Sequence, residues 1–199
     1  MEEHHRYLLK LQLGRMRDLD RNLAELDQRI DEKLQPYRPH LELLLEIPGV
    51  DWTLAAVILA ELGVDMTVFG SAAKLACWAG ISPGNNESAG KHRSGRITKG
   101  NVHLETALAE AAQAATRAKG TYLRDKFYRL KARRGAKRAV VAIGHKILVA
   151  VYHMLSDQVS YNDLGDLYLD KLNKQHLTRN LVHRLERLGY CVTLQPLAA

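Results

Sequence analysis

In "AVVAIGHKILVAVYHML", apolar side chains recur at Val140, Ile143, Ile147, Val151 and Met154, three or four residues apart. A helix gathers that spacing on one face and a strand does not, so this segment reads as a long helix at the centre of the core. His145, Lys146 and His153 interrupt it, which argues against a membrane span. The start, "MEEHHRYLLK", is too charged for a secretory signal, and a cytoplasmic protein with no membrane partner is implied. A second helix is predicted in "VHLETALAEAAQAATRA", with Leu104, Leu108, Ala111 and Ala115 on one face and Asn101 suited to cap its start. Its alanines would let another element approach closely. The only strand expected is a short one at "YCVTL" near the C-terminus, so the fold class is all-α.

Three regions follow from the punctuation. In residues 1–39, Leu9, Met16, Leu19, Leu23, Leu26 and Ile30 fall alternately three and four apart, with Gln12 the one gap in a heptad pattern. Three heptads suit either a coiled-coil arm or an amphipathic helix lying on its own domain. Pro36 and Pro39 are expected to end that helix and mark a hinge. Residues 40–160 form the helical body. It opens with "LELLLEIPGVDWTLAAVILAELG", two helical patterns around a Pro48–Gly49 turn, with Asp51 or Thr53 to cap the second. Such a helix-hairpin-helix-like element can offer backbone N–H groups near Gly49 to a phosphate, or can be a plain helix pair. A short helix is expected from about Ser71, with Cys77 as a small core residue beside Trp78. Residues 161–199 read as a basic helical tail.

Chemistry is sparse outside one loop. Nine histidines form no HExxH or related set, and His92, His145 and His183 read as surface or core partners. Two distant cysteines, Cys77 and Cys191, indicate neither zinc nor disulfide, and paired carboxylates are missing. The net charge of +7 favours a polyanion, with nucleic acid first among candidates. In "ESAGKHRSGRITKGN", residues 87–101, Lys91, Arg93, Arg96 and Lys99 could offset charge building on phosphate oxygens, and Gly90 and Gly95 permit close backbone approach. The helix following Asn101 could direct its positive end to the same anion. Ser88 and Ser94 are both chemically possible nucleophiles, with Glu87 and His92 near in number as bases; the other reading is a solvated basic loop touching DNA without catalysis.

The succession "LLLEIPGV…AAVILAELG…AAKLACWAGISPGNNESAGKHRSGRITKGNVHLETALAEAA" resembles the carboxy-terminal part of transposases of the insertion sequence 110/116/902 group, the bridge-RNA-guided serine recombinases. The likeness runs from about Leu41 to Leu155. The heptad arm and "RLERLGYCVTL" also look like that group. It implies that Ser88, set off by four residues from the proline of "AGISP", is the nucleophile joined to a DNA strand end. It further implies DNA and a guide RNA as partners, and a homo-oligomer paired through the coiled coil. No cofactor is expected in this chain: magnesium would belong to a RuvC-like domain with four acidic residues that precedes the coiled coil in the group. The chain starts inside the coiled coil, so a separated or truncated C-terminal half is expected, with a non-catalytic nucleic-acid-binding or dimerising fragment as the alternative. One departure is "GNVHLE", where Glu105 stands in place of the group's common arginine.

Overall fold

The computed structural model describes residues 3–82, 86–94 and 96–195, with the side chains of 86–88 and 92–94 left out. The chain divides into two units, Met1–Glu42 and Leu43–Ala199. In the first, α1 (Glu3–Leu34) is one unbroken helix of 32 residues, none of them buried. Its heptad residues stay open, from Leu9 at 50% exposure to Leu19 at 60%. A single 3-10 turn, Gln35–Tyr37, follows with Pro36 in its first positions. Pro39 does not stop a helix as expected; it lies in the first turn of α2 (Arg38–Leu45), where a missing N–H breaks no intrahelical bond.

The second unit is a helical body. A turn through Pro48 and Gly49 leads into α3 (Trp52–Leu62), which Asp51 rather than Thr53 caps by accepting a 2.9 Å hydrogen bond from Leu54 N–H. Gly49 holds a φ of +90°, and a Cβ there would strike the Ala111 carbonyl and the Ala115 nitrogen. The turn therefore rests directly on the backbone of α5 (Val102–Ala115), whose alanines leave room for it. Between them come a 3-10 turn (Met66–Val68) and α4 (Ala72–Trp78), capped by Ser71. Cys77 is exposed, correcting its assignment to the core, because Leu75 and Ala76 form the buried side of this two-turn helix.

After α5, Thr121 caps α6 (Tyr122–Arg134), and Gly135 at φ +83° reverses the chain into α7 (Ala136–Asp157). α7 is the core helix: Ile143, Ile147, Leu148 and Val151 are fully buried, each worth about 1.5–3 kcal/mol on that account. Gly144 lets it approach α5, its hydrogen facing Leu108. By length and composition α7 is also long and apolar enough to cross a membrane, a correction to the expectation drawn from His145, Lys146 and His153. Its packing against α4, α5 and α6 is that of a core helix. A five-residue helix, α8 (Tyr168–Leu172), and a fourteen-residue one, α9 (Lys174–Arg187), follow. Arg129 ties α6 to α8, its guanidinium bonding Asp125 at 2.7 Å and Asp170 at 2.6 Å. The "YCVTL" segment is not a strand: residues 190–194 carry no ladder, and the described residues supply no neighbouring strand to pair with. The all-α class stands, with one short hairpin inside it.

Burial, and secondarily the adjacent Lys146, depresses the His145 pKa below its ordinary 6.5. Below about pH 6.5 the unfolded chain takes up a proton that folded His145 resists, so stability present at neutral pH declines as pH falls. The melting temperature of His145→Gln is expected to drop less than that of wild type between pH 7 and about pH 5. Parallel pH profiles would contradict this.

Candidate nucleic-acid interface

The loop between α4 and α5 is held shut at its base. Gly80, at φ +76°, packs against Gly100 so tightly that a Cβ on Gly80 would lie 2.6 Å from the Gly100 nitrogen and 2.7 Å from its Cα. A Cβ on Gly100 would in turn strike the Ala79 carbonyl and the Gly80 nitrogen. Glycine at both positions lets the outgoing and returning backbones touch. Residues 81–99 thus leave and re-enter the body at one point.

Asn101 fixes the returning end. Its Oδ1 accepts from Leu104 N–H at 3.1 Å, capping α5, and its Nδ2 donates to Glu61 Oε2 on α3 at 2.6 Å. Both ends of the Asn101 amide are therefore engaged within the protein. Gly49, likewise, faces the α5 backbone. Sequence alone singles out neither Glu61 nor Gly100, and it marks Gly80 only as one residue of a turn-rich segment. The capping asparagine was visible there, but nothing in the spacing shows which carboxylate lies beside it.

Within the loop, β1 (Asn86–Ser88) and β2 (Lys91–Ser94) form an antiparallel hairpin. Ala89 at φ +51° and Gly90 at φ +72° make its two-residue turn, with the pair of positive φ values that suits the twist of a hairpin. The register sets Ser88 opposite Lys91 and Glu87 opposite His92. Asn86 pairs with Ser94, so Arg93 is the extra residue of a bulge. The Ser88 backbone therefore sits beside the tip of the hairpin. The side chains of Ser88, Arg93, Glu87, His92 and Ser94, and all of Gly95, lie outside the described residues. Lys91, Arg96 and Lys99 are exposed. Among the described residues, no three His, Cys, Asp or Glu side chains come together as a metal site.

The helical body thus pins at one point a loop on which Lys91, Arg96 and Lys99 stand exposed. Residues 41–129, which contain the whole loop, match the family described as "Transposase IS116/IS110/IS902 family", and this stretch is a transposase domain of that family. Over 147 residues, 72% of its length, the chain is 30% identical to "Insertion element IS900 uncharacterized 42 kDa protein" of Mycobacterium paratuberculosis. It spans 36% of that protein's length.

Proposed function

We propose that this chain is the DNA-joining part of a transposase, binding DNA phosphates through the loop at 81–99 and using Ser88 as the nucleophile. The observation that carries the reading is a clasped loop inside the transposase domain with Lys91, Arg96 and Lys99 turned to solvent. In the reaction the Ser88 Oγ forms a bond to phosphorus as the bond from phosphorus to a sugar oxygen breaks. The serine proton leaves to solvent and the sugar oxygen takes one up, so a phosphodiester is exchanged for a phosphodiester. Lys91, Arg93, Arg96 and Lys99 offset the charge that gathers on the phosphorus oxygens during the exchange.

Guide RNA is the second nucleic-acid partner in this reading, and α1 pairs two protomers through its open heptad stripe. Magnesium, when bound, supplies Lewis-acid assistance to strand cleavage; in this reading it is held by acidic residues of a further RuvC-like domain. A second reading, a nucleic-acid-binding module that breaks no bonds, rests on the same exposed Lys91, Arg96 and Lys99, which hold phosphate whether or not a nucleophile acts.

DNA binding is tested by titrating a fluorescent 20-base-pair duplex with the full chain at several salt concentrations. Affinity is expected to fall steeply with salt. Replacing Lys91, Arg96 and Lys99 by glutamine should flatten the log–log slope by roughly 0.9 for each phosphate that is no longer neutralised. Affinity indifferent to salt would overturn the reading.

A further inference from the structure

No aspartate or glutamate occurs between Asp125 and Asp157, and within that span five of the eight residues at 131–138 are basic: Lys131, Arg133, Arg134, Lys137 and Arg138. They occupy the corner where α6 turns into α7 at Gly135, and all eight residues are exposed. Among the described residues, Arg133, Arg134, Lys137 and Arg138 take part in no salt bridge. Lys131 lies 5.8 Å from the ring centre of Tyr128, itself half-exposed, and Arg124 reaches the same ring at 5.5 Å. Like charges at helical spacing repel, so this corner is arranged at a cost in stability. An anionic partner removes that cost.

The corner and the foot of the loop, where Gly80 meets Gly100, belong to the same end of the helical body. At the opposite end, Gly49 rests on Ala111 and Ala115 near the finish of α5, and Glu46 beside it accepts from Tyr161 N–H, just beyond α7. Tyr122 N–H, at the start of α6, donates to Asp163 there as well. The ends of α5 and α7 are thus gathered together, so the two helices run in the same direction. They touch at Leu108 and Gly144. At about 1.5 Å per residue, α5 begins about 10 Å before that contact and α7 about 12 Å before it. Asn101, at the foot of the loop, and Gly135, at the corner, therefore stand at nearly the same level.

We infer that the corner at 131–138 is a second DNA-backbone contact, gripping phosphates beside the one the loop engages. It rests on the reading of the chain as a DNA-binding transposase domain and extends that reading past residue 129, where the family match ends. Duplex DNA is the partner assigned, because a row of cations on one corner meets a row of phosphates without reading bases. An RNA hairpin is the competing occupant.

The test replaces Lys131, Arg133, Arg134, Lys137 and Arg138 by glutamine in the full chain. A matched control removes the same charge from α1 by replacing Lys10, Arg15, Arg17, Arg29 and Lys33. Binding to a labelled 20-base-pair duplex and to an RNA hairpin is followed against salt, with circular dichroism to verify that each variant is folded. The corner variant is expected to bind duplex about tenfold or more weakly, with a log–log slope flatter by about 3 to 4, at roughly 0.9 per neutralised phosphate. The α1 control should be weakened far less. An equal loss in both variants would reduce the corner to bulk charge and overturn the inference. So would a loss confined to RNA, or an unchanged duplex slope in the corner variant while wild type binds normally; in that last case the proposed function stands. No duplex binding by wild type would overturn both.

Discussion

Gly100→Ala is expected to destabilise the helical body by about 3 kcal/mol or more, at the upper end of what overpacking costs. The new methyl group would strike the Ala79 carbonyl carbon and oxygen and the Gly80 nitrogen, all of them backbone atoms that no rotamer change can move aside. Relief requires the α4 end and the α5 start to separate. That would also strain the Asn101 hydrogen bonds to Glu61 and Leu104, since Asn101 is the next residue. For a body of this size the melting temperature should fall by about 6–12 °C. Gly120→Ala is the matched comparison: Gly120 has a φ of +76° but no atom within 4 Å of the added carbon. It bears the left-handed strain alone, about 1 kcal/mol. If the two variants melted alike, the clasp at the base of the loop would be refuted.

Ser88→Ala should abolish covalent joining of the protein to DNA while leaving duplex affinity within about twofold of wild type. The alanine removes the one oxygen assigned to phosphorus and leaves every cation in place. Affinity rests on those cations, each neutralised phosphate adding to the salt slope independently of the hydroxyl. The hairpin should persist, because Ser88 pairs with Lys91 through backbone groups that alanine retains. A parallel loss of affinity would instead make Ser88 part of the loop's architecture. Retention of joining would move the chemistry to another residue.

Much of the helical layout is written locally. The 3.6-residue spacing of α5 and α7, and the caps at Asp51, Ser71 and Asn101, depend on neighbours within one turn, so sequence exposes them. The hairpin at 86–94 is hidden in the sequence because its turn is Ala-Gly rather than Asn-Gly or Asp-Gly, and because Arg93 breaks the alternation as a bulge. "YCVTL" misleads in the opposite direction: β-branched and aromatic residues favour a strand only when another strand is there to pair with. The Gly80–Gly100 contact joins residues twenty positions apart, and no local pattern announces it. The basic composition of 131–138 is plain, yet its level with the foot of the loop depends on α6 reversing direction at Gly135. Side-chain type is legible; which end of the body it occupies is a tertiary fact.

The most direct test of the chemistry is to identify the peptide attached to DNA. The full chain is incubated, with magnesium present, with a duplex whose interrupted strand diffuses away on joining. The denatured product is digested and sequenced by mass spectrometry. A nucleotide linked through phosphate to Ser88 is the predicted result. A nucleotide linked to any other residue, or the same yield of linked product from Ser88→Ala, would contradict it.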